Sequence, residues 1–141
     1  MWHRLYYHLV WTTDARAPLL DAKCAGFLVR YLRAAAADHR SRVLEIGAVR
    51  THVHTLIVCH PMTELPRLVG HLKGGSATVW NKDYAPGVGW KLHWASGYGL
   101  STVSPRQING VRDYLRAQPY HHPTERIDGW GGDKPGFESL R

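Results

Sequence analysis

Residues 49–61 read VRTHVHTLIVCHP. From Val53 to Cys59 the run is rich in apolar and β-branched residues, and Pro61 closes it, which is the signature of a strand. Successive side chains of a strand point to opposite faces. His52 and His54 therefore share one face, and Val53, Thr55 and Ile57 share the other. A second apolar run, residues 43–49, is joined to this one by Arg50-Thr51, which predicts a hairpin or two strands meeting at a tight bend.

Working outward, residues 3–13 set Leu5, Tyr7, Leu9 and Trp11 against Tyr6, His8 and Val10, another strand pattern. After Pro18 the period lengthens. Cys24, Phe27, Leu28, Tyr31, Leu32 and Ala35 repeat at helical spacing, with arginines opposite. Beyond Pro61, Leu65, Leu68, Val69, Leu72, Val79 and Trp80 line one side of a helix that reaches Lys82. Gly74-Gly75-Ser76 inside it is poor helix chemistry, each Gly costing about 1 kcal/mol relative to Ala, so a close approach of another backbone or a DNA strand is expected there. A Pro/Gly-rich turn over residues 84–89 leads to one or two strands within residues 90–103. Ser104-Pro105 opens a last helix as N-cap and first residue, Ile108, Val111 and Leu115 give it an apolar side, and Pro119 stops it. The order β-α-β-β-α-β(β)-α predicts an α+β fold, a ferredoxin-like antiparallel sheet with helices packed on one face. Residues 1–120 form the expected catalytic domain, and residues 121–141, rich in Gly, Pro and charge, a loosely ordered C-terminal tail.

The chain has 141 residues with 44% hydrophobic content, enough for one domain with a core that needs no disulfides. Its 18 Lys and Arg exceed 11 Asp and Glu, for a formal charge of +7. That balance favours a polyanion, nucleic acid or an anionic membrane surface, as partner. The arginines are scattered, which points to a folded basic face rather than a basic tail. Cys24 and Cys59 form no CxxC and read as small core hydrophobes. With no secretory pattern at the start and no long charge-free apolar run, the expected setting is the cytoplasm, near the nucleoid of a prokaryote, with no membrane association.

Two features carry chemistry. The His52-Val53-His54 pair puts two imidazoles on one strand face. Tyr114 and Gln118, one helical turn apart, put a phenol and a carboxamide on one helix face. Two histidines and an oxygen ligand can hold a metal with open positions, and a tyrosine beside it can serve as a covalent nucleophile. Each feature alone has a plainer reading. With ten histidines in the chain such a pair arises readily by chance, and it fits two half-buried sheet histidines. A tyrosine three residues after Val111 is ordinarily core, and Gln118 is an ordinary surface residue.

The order of the motifs separates these readings. Residues 49–61 resemble the His-hydrophobic-His strand of the single-tyrosine HUH transposases of the insertion-sequence 200/605 group, which include the REP-associated tyrosine transposases. Residues 71–77, HLKGGSA, are similar to that family's LKGxSS-like helix. Residues 94–104, WASGYGLSTVS, are similar to its W-x-x-GY…S-V-S stretch. Residues 111–118, VRDYLRAQ, with His121-His122 after them, resemble its YIxxQ…HH helix, and YYHLVWTTDARAPLL at the start resembles its first strand and following loop. The resemblance spans residues 5–122.

It implies His52, His54 and Gln118 as metal ligands, Tyr114 as nucleophile, and Mg²⁺ or Mn²⁺ as the cofactor, although mixed N/O ligands also suit Zn²⁺. It implies nicking and rejoining of single-stranded DNA through a 5′-phosphotyrosine, element ends that carry hairpins, and a homodimer in which active sites can be shared between protomers. Thr51 departs from the pattern, since the family often has Asp or Asn directly before the first histidine, and outer partners orient metal-binding imidazoles. The alternative is a domesticated or non-catalytic single-stranded nucleic-acid binding protein, with Trp80, Trp90, Trp94 and Tyr98 as stacking candidates if they are not core. The intact set of four site residues speaks against it. The basic charge speaks against a metal-binding protein unrelated to DNA.

Overall fold

Four strands, β1 (Leu5–Thr12), β2 (Ser41–Val49), β3 (His52–Cys59) and β4 (Gly99–Val103), pair antiparallel in the order β2-β3-β1-β4 in the computed structural model, which describes residues 4–130. The predicted hairpin is β2-β3, with Val49 opposite His52 across a turn at Arg50-Thr51. The α+β fold with an antiparallel sheet is as expected. Residues 90–98 hold no strand, only a single bridge from Trp94 to Thr13.

One face of the sheet is the main core. Leu9 and Trp11 of β1 and Val53 and Ile57 of β3 pack with α1 (Ala22–Ala37), whose Cys24, Phe27, Leu28 and Leu32 face inward. Asp21 caps α1 by accepting from the Cys24 amide at 2.8 Å. Both cysteines are buried as expected, and burial followed by the charge of Asp21 pushes the Cys24 thiol up to about 12. The predicted second helix runs as α2 (Leu65–Gly70), a π turn (His71–Gly75) and α3 (Ser76–Asp83), followed by the short α4 (Ala85–Val88). Gly75 sits where a Cβ would lie 1.9 Å from the Tyr31 hydroxyl, so the close approach there is a tyrosine of α1. Lys73 donates to Ala95 O at 2.8 Å and Gly97 O at 2.6 Å, and Trp94 Nε1 donates to Ser76 Oγ at 3.0 Å. The helix thereby straps down the irregular segment before β4.

The other face is not bare. The final helix crosses it, as α5 (Ile108–Arg116) and α6 (Gln118–His121), so helices lie on both faces rather than one. A small apolar cluster, Leu56, Val103 and Leu115, joins α5 to the sheet. A bulge in β2 makes this face polar elsewhere. Val43 pairs with Ile57 on the core side, but Glu45 pairs with Leu56 on the opposite side. The one extra residue flips the alternation. Ile46 and Ala48 then face the core, and Glu45 and Gly47 face α5. Buried Glu45 receives Arg116 Nε and Nη2, each at 3.0 Å, and Arg112 Nε at 3.5 Å.

The start of the expected loose tail belongs to the fold. Pro123–Glu125 form a 3-10 turn, the Arg50 amide donates to Glu125 O at 2.8 Å, and Ile127 is buried in the main core. An apolar anchor and a backbone tether outweigh the Gly/Pro-rich composition. Residues 131–141 of that tail lie outside the described residues.

Candidate active site

His52 and His54 emerge from the start of β3 on the face that α5 and α6 cover. Gly47 is directly across from His54 on β2. It has to be glycine: a Cβ there would lie 2.2 Å from Leu115 O and 3.1 Å from Gln118 Cγ. Pro119 has no N–H to offer Leu115 O, and the helix breaks at Ala117 (φ −86°, ψ 3°). Tyr114 and Gln118 thus sit on two successive short helices and not on one. The break turns Gln118 inward until it is fully buried, while Tyr114 stays 44% exposed.

The four predicted residues come together within one chain. Gln118 Oε1 stands 3.4 Å from His52 Nε2, and the His52 and His54 rings are 5.0 Å apart. The Tyr114 ring is 5.9 Å from that of His54 and 5.1 Å from that of His121.

Further partners complete the surroundings, of which sequence reasoning missed His8 and Glu125. His8 on β1 meets His54 Nδ1 through its Nε2 at 2.8 Å. Only the antiparallel register, which sets His8 opposite Leu56, reveals that it shares this face. The His122 ring lies 4.9 Å from His52. Thr51 Oγ1 is 3.0 Å from His52 Nδ1 and also bonds Glu125 Oε1. Nothing in the sequence pattern singles out Glu125.

Burial favours the neutral form of His54, His52 and His8. His54 is lowered to about 3, first by desolvation and then by the neighbouring His52, His8 and His122. His52 is lowered by desolvation, against a raising contribution from Gln118, and His8 by desolvation. Neutral imidazoles are the form that binds metal.

The donor set fits a divalent cation. Both histidines have Nδ1 engaged on other side chains, leaving their Nε2 atoms as candidate ligands, and Gln118 turns its oxygen toward His52. The cost is a buried Gln118 Nε2 with no hydrogen-bond partner among the described residues. At 3.4 Å the contact between Gln118 and His52 is longer than a good hydrogen bond.

Residues 1–118 match the family described as "Transposase IS200 like". The chain belongs to that family. It is 31% identical over 120 residues to the ISDra2 transposase TnpA of Deinococcus radiodurans, covering 82% of this chain and 85% of that protein. A candidate transposase of Deinococcus radiodurans R1, solved at 1.90 Å, superposes with a TM-score of 0.64 at 26% identity, covering 84% of this chain and 93% of its own. A REP-associated tyrosine transposase bound to a REP hairpin shares the fold, with a TM-score of 0.64 at 12% identity over 84% of this chain and 68% of its own.

Among the stacking candidates of this IS200-like transposase, Trp80 is fully buried in the core and Trp90 and Trp94 pack against it, whereas Tyr98 is exposed. At the far end of the sheet from His52, Arg4, Arg40, Arg42 and His60 line a cleft of about 680 Å³. Among the described residues, no helix is long and apolar enough to cross a membrane.

Proposed function

We propose that this IS200-like transposase nicks and rejoins single-stranded DNA through Tyr114, with Mg²⁺ or Mn²⁺ held by His52, His54 and Gln118. The observation that carries the reading is the convergence, in one chain, of an exposed phenol on a buried set of two neutral imidazoles and an amide oxygen. The bound ion would polarise the scissile phosphate and offset charge on the leaving oxygen.

The protein's own contribution is positioning. Tyr114 Oη forms a bond to phosphorus, the P–O3′ bond breaks, the phenol gives up its proton and the departing 3′-oxygen takes one up. The phosphotyrosine keeps the energy of the broken bond, so attack by another 3′-OH reverses the step and no nucleotide cofactor is required. A phenol is a weak nucleophile until it loses its proton, and a cation held by these residues would help it do so. The arginine-lined cleft and the charge of +7 support a polyanionic partner. Hairpin-bearing element ends and a homodimer belong to the same proposal, as does a place in the cytoplasm with the chromosome.

Incubation with end-labelled single-stranded oligonucleotides and Mn²⁺ should give a covalent adduct on a denaturing gel. Tyr114→Phe, His52→Ala and chelation should each abolish it. Adduct formation by Tyr114→Phe would overturn the nucleophile, and cleavage that persists after chelation would overturn the metal. Binding without any adduct would make the protein the non-catalytic alternative.

A further inference from the structure

We infer that Glu125, acting through the Thr51 hydroxyl, is a positioning residue that dictates which nitrogen of His52 is bare. Thr51 Oγ1 lies between Glu125 Oε1 and His52 Nδ1, the latter at 3.0 Å. A hydroxyl has one proton to give, and a carboxylate oxygen only accepts. The Thr51 proton therefore goes to Glu125, and Oγ1 must accept from His52 Nδ1–H. That leaves His52 Nε2 bare and facing Gln118 Oε1, itself an acceptor, at 3.4 Å, two acceptors that a cation between them would reconcile. The opposite tautomer would set the Nδ1 lone pair against an oxygen whose only proton is already committed.

Glu125 is built into this position rather than brushing past it. The Arg50 amide, directly before Thr51, donates to Glu125 O at 2.8 Å, and the Glu125 amide donates to His122 O at 3.0 Å. Ile127, two residues on, is buried at 3% exposure. Arg16 Nη2 at 3.9 Å and His122 Nδ1 at 3.5 Å flank the carboxylate. An aspartate at position 51 would hold His52 with its own side chain. Here the carboxylate arrives from 74 residues along the chain and works through one intervening hydroxyl.

The tautomer stands independently of the function proposed above, while its consequence for metal binding rests on that reading. Outer partners of this kind change metal affinity by about 10–100-fold.

The test uses the full-length, metal-free, ¹⁵N-labelled protein at alkaline pH, with long-range ¹H–¹⁵N correlation spectra reporting the His52 tautomer. The parent should show Nδ1–H alone. Thr51→Val and Glu125→Ala should lose that single state and bind Mn²⁺ about 10–100-fold more weakly, read from the paramagnetic signal of free Mn²⁺. Thr51→Ser should behave as the parent. Combining Thr51→Asp with Glu125→Ala should restore both readouts, which a merely structural role for Glu125 would not do. An Nε2–H tautomer in the parent, or an unchanged tautomer and Mn²⁺ affinity in both single variants, would overturn the inference. If Glu125→Ala does not fold, the nearly isosteric Thr51→Val decides alone. A parent with the Nδ1–H tautomer that binds no Mn²⁺ would support the relay and overturn the metal reading instead.

Discussion

The two faces of the sheet are covered by helices in different ways. On one, α1 and α3 bury a broad apolar surface that includes Trp11, Phe27, Leu28 and Trp80. On the other, α5 touches the sheet through a smaller cluster centred on Leu56, Val103 and Leu115, with Tyr6, Leu44, Ile108 and Val111 at its edge, and beside it lie Glu45 with its arginines and the histidine cluster. Buried polar groups cost free energy unless they are paired, so a face built this way adds little to stability. What it provides is a buried cluster of imidazoles and one carboxamide beside an exposed phenol. The four candidate residues sit on the less apolar face, and the opposite face carries most of the hydrophobic burial.

Substitutions can break that division, beginning with the largest expected effect on folding. Trp80→Ala on the apolar face should cost about 3–5 kcal/mol, measured by urea unfolding, and should leave the site intact in the molecules that remain folded. Gly47→Ala on the polar face should cost about 1–3 kcal/mol, because its Cβ collides with a backbone carbonyl. It should also push Gln118 away from His52, so Mn²⁺ affinity should fall more than stability does.

A pH series sharpens the contrast further. His54, His52 and His8 are held neutral in the fold, whereas in the unfolded chain they titrate near the ordinary value of 6.5. Below that value the unfolded state binds more protons, so stability is fully present above pH 6.5 and declines as pH falls toward 3. Unfolding midpoints between pH 7 and 5 should drop in the parent and drop less in His54→Asn; equal slopes would refute this. Smallest for folding is Tyr114→Phe, which should shift stability by less than about 0.5 kcal/mol while abolishing the adduct. A large loss of stability would mean that Tyr114 is structural.

Much of the site was legible because its parts obey local periodicity. The strand period put His52 and His54 on one face, and the spacing of Tyr114 and Gln118 placed them within a turn of each other. The chain-long order of motifs selected one reading from several. The bulge after Val43 was not legible, since residues 43–49 read as a uniform apolar run and an extra residue leaves no mark in composition. Without the bulge, strict alternation would turn Glu45 and Gly47 into the core. The irregular segment 90–98 read as strand because its aromatics are apolar, but its Ala95 and Gly97 carbonyls are held by Lys73 and its Trp94 by Ser76, both from a distant helical segment.

The sequence by itself determined most element types and the antiparallel α+β plan, because these depend on side-chain pattern within one strand or helix, and the order of motifs along the chain singled out the four candidate residues. Only the tertiary structure decided that a helix covers the second face, that His8 backs His54, and that Thr51 reaches a carboxylate at Glu125. These depend on register, on one bulge and on a buried Ile127, all of them contacts between residues far apart in the chain. The free energy of such contacts is not written in any local window.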